Sequence, residues 1–181
     1  PEVAYQGIGV PQHGYASATP ATDGKHVYAY FGRSGVVACD LEGKEIWKAA
    51  VAADPGTHMF GTASSPVLAG DVVVVPASVE CEAVVGFDKK TGKEVWRAPA
   101  EGYGAWWSTP VLAGEGDEAG LLFNVPGEVW ALNPATGRLR WYAMTFEDRG
   151  ISPSPVISNG MMYVIGGRQG NAAAIRLGGK G

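Results

Sequence analysis

Two acidic pairs are the first residues in this 181-residue chain whose spacing suggests chemistry: Glu80 and Glu82 in VECEA, and Glu147 and Asp148 in FEDRG. Calcium takes six to eight oxygen ligands, commonly from a loop rich in Asp, Asn and Gly that wraps the ion. Each pair supplies two carboxylates without such a loop, so both read as solvated loops and no metal or other cofactor is expected. His13, His26 and His58 stand alone, with no HxH or HxxxH spacing to hold a metal. His26 falls at the start of an expected strand, where an exposed or hydrogen-bonded structural role suits it. Cys39 and Cys81 form no CxxC pair and read as two unpaired structural thiols. No GxSxG or Walker sequence occurs, and GGRQGN at 166–171 precedes no helical pattern, so it reads as a hairpin loop.

The elements that must position any site come from an internal repeat. A Ser/Thr-Pro step recurs at Pro20, Pro66, Pro110 and Pro155, at spacings of 46, 44 and 45 residues. Tryptophan follows the first three, at Trp47, Trp96 and Trp141. A period of this length with several short strands per unit predicts an all-β propeller of four-stranded antiparallel blades. In the second unit the strands read SSPVLA, DVVVVPAS, EAVVGFD and KEVWRAP. Asp23-Gly24 and Asn159-Gly160 are strong hairpin turns. No segment sustains a 3.6-residue apolar period, so essentially no helix is expected. The 27 glycines and 12 prolines agree with a turn-rich chain.

The phrases DLEGKEIW, DKKTGKEVW and NPATGRLRW close the third turn of each unit. Asp40, Asp88 and Asn133 can accept backbone hydrogen bonds, while Gly43, Gly92 and Gly137 can take positive φ. The tryptophan four residues after each glycine is then a packing device, lying across the joint between blades against the small residues Ala38, Gly86 and Ala131. Burying about 200 Å² of indole at roughly 25 cal/mol per Å² gives an upper bound near 5 kcal/mol per blade.

The net charge of −4 argues against a nucleic-acid or anionic-membrane surface, and no apolar run is long enough for a helix to span a bilayer. The loops that join one unit to the next share a face with the second-to-third-strand loops. They present His58, Met59 and Phe60, then Tyr103, Trp106 and Trp107, then Phe146, Glu147 and Arg149, with Arg33, Glu80 and Arg168 from the other loop set. Aromatic and arginine side chains dominate binding hot spots, so this is the candidate interaction face.

The pattern Ala-x-Asp-x-x-Thr-Gly-x-x-x-Trp resembles the tryptophan-docking repeat of the PQQ-like (pyrroloquinoline-quinone-like) β-propellers, over residues 14–181. Unit two has Gly86 for the alanine, unit three has Asn133 for the aspartate, and unit one is a residue shorter and lacks the threonine. GYASATPATDG, WWSTPVLAG and AIRLGGKG look most like exported planctomycete-type members. The resemblance implies a ring of usually eight blades, of which this chain would hold about half. Residues 1–13 then end a preceding blade, 14–52, 53–102 and 103–146 are blades, and 147–181 form an incomplete one whose fourth strand would follow Gly181. Such half-rings are expected to self-associate. It also implies two function classes. Quinoprotein dehydrogenases hold the quinone and calcium with an adjacent cysteine pair and a catalytic aspartate, and no Cys-Cys occurs here. Scaffold members bind other proteins in the cell envelope. The expectation is a non-catalytic, periplasmic or otherwise exported protein-binding scaffold; the alternatives are part of a quinoprotein dehydrogenase, or a carbohydrate-binding propeller using Trp106 and Trp107.

Overall fold

A computed structural model describes residues 17–178, apart from 54, 57, 115–118 and 149. These residues form four successive antiparallel sheets, each an uncrossed meander. Sheet one contains β1 (Ala21–Thr22), β2 (His26–Tyr30), β3 (Val36–Asp40) and β4 (Glu45–Ala49). Sheet two contains β5 (Val67–Ala69), β6 (Val72–Ala77), β7 (Ala83–Asp88) and β8 (Glu94–Pro99). Sheet three contains β9 (Val111–Ala113), β10 (Gly120–Val125), β11 (Glu128–Leu132) and β12 (Leu139–Met144). Sheet four has three strands, β13 (Val156–Ser158), β14 (Met161–Ile165) and β15 (Ala172–Arg176). The hairpin at Asn159-Gly160 forms as expected, with φ of 50° and 71° at the two residues, the geometry for which Asn-Gly is favoured. The segment 1–13, expected to end a preceding blade, lies outside the described residues.

Strand periodicity explains how the sheets stack. Along β6, Val73 and Val75 turn towards Tyr28, Tyr30 and Val36 of sheet one, while Val72 and Val74 turn towards Leu121, Phe123 and Val125 of sheet three. With both faces covered, all six residues of β6 are buried. In β14 only Met162 and Val164 are buried, against Leu122, Val129 and Ala131 of sheet three; Tyr163 and Ile165 on the other face are exposed. The core is therefore three layers, each between neighbouring sheets.

Two repeated fastenings hold those layers together. On the fourth-strand side, Ala38, Gly86 and Ala131 pair across the ladder with Trp47, Trp96 and Trp141, and each ladder slips register at that residue. The rings also reach the next sheet. Trp47 Nε1 donates to Lys89 O at 3.0 Å and Trp96 Nε1 donates to Pro134 O at 3.1 Å. A methyl group on Gly92 would overlap the Trp47 ring, and one on Gly137 would overlap the Trp96 ring. Those glycines serve as sockets for the preceding unit's tryptophan, a role beyond the positive φ expected of them. Asp88 shapes the socket by accepting from Thr91 N and Thr91 Oγ1 at 2.8 and 2.7 Å, which holds its carboxyl below the ordinary value. Asn133 Oδ1 does the same for Ala135 N and Thr136 N.

On the first-strand side the Ser/Thr-Pro steps form a staircase. Thr19 N donates to Ser65 Oγ, Ser65 N to Thr109 Oγ1, and Thr109 N to Ser154 Oγ, at 2.9, 3.0 and 3.0 Å. The following proline restricts each residue to extended backbone, which fixes the direction of its N–H.

Against the expectation of essentially no helix, the described residues contain one short helix, α1 (Ser78–Cys81), and a 3-10 turn at Gly32–Ser34. Both sit in second-to-third-strand loops and are too short to show a helical period. Trp96→Ala is expected to lose roughly 3–5 kcal/mol in urea unfolding, as large core truncations do. Gly43 and Gly92 both have positive φ, but a methyl group on Gly43 meets nothing. Gly92→Ala should therefore cost about 1–3 kcal/mol more than Gly43→Ala, the cost of overpacking against the ring.

Candidate functional site: the loop face

The tryptophan sockets lie at one end of the strands, so the opposite end is free for the longer loops. There the between-sheet connections meet the second-to-third-strand loops. Ser78 Oγ on α1 donates to Trp106 O at 2.6 Å, Tyr103 Oη donates to Glu128 Oε2 at 3.0 Å, and Gln169 N donates to Asp148 Oδ2 at 3.3 Å.

The residues of the predicted face divide among three places. His58, Phe60 and Trp107 come together, with ring centroids 5.2 Å apart for His58–Trp107, 5.7 Å for His58–Phe60 and 6.1 Å for Phe60–Trp107. Trp107 Nε1 donates to Gly61 O at 2.7 Å, which fixes the indole, while Phe60 and the adjacent Met59 are exposed. Trp106 does not join them: it is fully buried between sheets two and three, which removes it from the face. Adjacent residues of an extended segment point to opposite sides, so only one of the two tryptophans can face out.

Tyr103, Glu147 and Arg168 line a groove of about 610 Å³ with Glu128, Met144 and Asp148. Glu147 and Arg168 are exposed, whereas Asp148 is 2% exposed beneath the loop at Gly166. A side chain at Gly166 would strike Asp148 Oδ2 and the Phe146 ring, so the glycine lets the carboxylate sit there. Glu128 Oε2 also accepts from Trp130 Nε1 at 2.6 Å. Burial, with Glu128 beside it, pushes the Tyr103 hydroxyl pKa up. Arg149 lies outside the described residues.

The third place corrects the reading of VECEA as a solvated loop. Glu80 is 3% exposed, on α1 at the joint between sheets one and two. Tyr30 Oη donates to its Oε2 at 2.7 Å and the Thr62 hydroxyl donates to its Oε1. Burial raises its pKa to about 7, although the Tyr30 hydrogen bond pulls the other way. Arg33, half-buried on the 3-10 turn, belongs to this joint rather than to a rim. Nothing local marks Glu80 as buried, because its partners come from residues 30 and 62.

The residues present do not fit a quinone and calcium site. Among the described residues no three His, Cys, Asp or Glu side chains converge to hold a metal. Cys39 on β3 and Cys81 on α1 are free thiols. The Cys81 thiol is pushed up by burial and accepts from Arg97 Nη1 at 3.2 Å.

Consecutive four-stranded sheets stacked face to face, with a tryptophan docked at the joint, define part of a β-propeller. Its docking turns resemble those of the PQQ-like repeat propellers, and the comparisons with known proteins point the same way. The family model described as outer membrane protein assembly factor BamB matches residues 4–79. The crystal structure of BamB from Moraxella catarrhalis superposes with a TM-score of 0.71 at 17% identity, covering 90% of this chain and 50% of that one. Quinohemoprotein alcohol dehydrogenase from Comamonas testosteroni gives 0.63 at 20% identity, covering 82% and 28%. The computationally designed Ika4 protein gives 0.59 at 13% identity, covering 90% and 91%. This chain thus spans half the length of the BamB structure it matches. No curated protein matches it at the level of sequence.

Glu80 makes stability depend on pH. Its folded pKa of about 7 exceeds the ordinary 4.5, so the folded state holds a proton that the unfolded chain has released. That contribution is fully present below about pH 4.5 and is lost as pH rises through about 7, a change of roughly 3 kcal/mol. Urea midpoints at pH 5 and pH 8 should fall for the wild type, and the fall should be much smaller in Glu80→Gln, whose amide keeps both partners.

Proposed function

We propose that this chain is the binding part of an exported, non-catalytic propeller that acts as a protein-binding scaffold in the cell envelope. The observation that carries this reading is the loop face, where His58 and Phe60 cluster around the fixed indole of Trp107, with Met59 and Phe60 open to solvent. Fixed aromatic side chains with exposed apolar neighbours are what partner surfaces use as anchors. The family model's description as an outer membrane assembly factor supports an envelope location and a role in assembly. The likeness to an alcohol dehydrogenase extends to the fold alone, and the donor set described above does not favour quinone chemistry.

The division into units at 14–52, 53–102, 103–146 and 147–181 belongs to the same proposal, as does a ring of eight such units. The exposed face of sheet four, with Val156, Tyr163 and Ile165, supports self-association of the isolated chain, because apolar patches of that kind drive contact. Light scattering should report a mass above 18.9 kDa, and a stable monomer at that mass would overturn the self-association. Crosslinking in envelope extracts should capture a protein partner. Phe60→Ser with Met59→Ser should reduce capture by about tenfold or more while the unfolding free energy in urea stays within about 0.5 kcal/mol of wild type. Undiminished capture would remove the aromatic cluster from the interface, and stoichiometric binding of pyrroloquinoline quinone with calcium would replace the scaffold reading.

A further inference from the structure

The groove between sheets three and four has a charge imbalance. Among the described residues, three carboxylates line it, Glu128, Glu147 and Asp148, against one guanidinium, Arg168. Asp148 is 2% exposed, yet among the described residues its carboxylate receives one hydrogen bond, the 3.3 Å contact from Gln169 N. Glu128 is better held, by Tyr103 Oη and Trp130 Nε1, but both donors are neutral and leave its charge uncompensated. Arg168 is exposed and makes no ion pair with a described residue. A buried carboxylate is costly unless a cation or several donors meet it. The groove is therefore preorganised for positive charge. Its walls also suit a long side chain: Met144 is 70% exposed at the edge, and the Tyr103 ring stands edge-on to Trp130 with centroids 4.9 Å apart.

We propose that this groove receives a lysine or arginine side chain from a protein partner, its cationic head against Glu128 and Asp148 and its aliphatic stem along Met144 and Tyr103. Basic side chains bind in this way, burying the stem on apolar surface while the head meets carboxylates, and arginine adds stacking on an aromatic ring. An anionic ligand would meet net negative charge. A neutral sugar would leave Asp148 uncompensated. The inference rests on the protein-binding reading above and names the chemistry of the partner's contact.

The test is a nuclear magnetic resonance titration of the whole chain with capped Gly-Lys-Gly and Gly-Arg-Gly peptides. Capped Gly-(acetyl-lysine)-Gly and calcium chloride are the controls. The basic peptides should shift the Tyr103 and Gln169 amides saturably, and added salt should weaken them. Asp148→Asn should weaken binding by about tenfold or more, because it removes one member of a desolvated charge pair. Arg168→Ala, at an exposed position that folding does not need, should strengthen it several-fold. Equal shifts from the acetylated peptide, tighter binding of calcium than of either peptide, or no shift at about 10 mM peptide would each overturn the proposal. The two readings separate in the capture experiment. Capture that survives Glu128→Gln but is lost on Phe60→Ser removes the groove and keeps the scaffold. Basic-peptide binding with no captured partner keeps the groove and removes the scaffold.

Discussion

An indole lying flat between two sheets needs a small residue on its own ladder and a glycine on the next sheet, and most of the architecture follows from that requirement. Trp96 has Gly86 across its own ladder and Gly137 on the next sheet, with Pro134 O taking its N–H. The ring fixes how far apart the sheets stand on the fourth-strand side. The Ser/Thr-Pro hydrogen bonds fix the first-strand side, so neighbouring sheets can neither separate nor pivot. The valines and large apolar residues between the two fastenings then pack in register.

This arrangement also separates stability from recognition. The docking turns occupy one end of the strands; the loops at the other end send Trp106, Val51 and Ile151 into the core but leave other side chains outside it. They are free to hold groups that a core would reject. Met59 and Phe60 face solvent there, and Asp148 sits almost wholly buried with a single described donor. The same end holds Glu80 at a sheet joint, where a carboxyl with a pKa near 7 is tolerated because Tyr30 and Thr62 satisfy its oxygens.

Features that depend on the repeat were legible in the sequence. The strand order, the pairing of Trp47, Trp96 and Trp141 with small residues, and the hairpin at Asn159-Gly160 all follow from spacing and turn chemistry. Features that depend on a partner one unit away were not. Gly92 looked sufficient as a turn residue, and only the arrival of Trp47 from 42 to 45 positions earlier shows that it is also a socket. Glu80 sat in a segment with alternating carboxylates, which reads as solvated until Tyr30 is brought against it. The pair Trp106-Trp107 had to place one ring inward, but nothing local said which. The groove was partly visible as Tyr103, Glu147 and Arg168, without the buried Asp148 that gives it character.

The staircase of Ser/Thr-Pro steps has a direction. Every N–H points forward to the hydroxyl of the next step, from Thr19 to Ser65 to Thr109 to Ser154. Each step thus offers an acceptor backwards and a donor forwards, and every junction is made from the same two parts. A unit duplicated or deleted in whole leaves matching parts on either side of the change. Gene-level gain and loss of units can therefore proceed without inventing a new joint, while the loops at the far end diverge independently from one unit to the next.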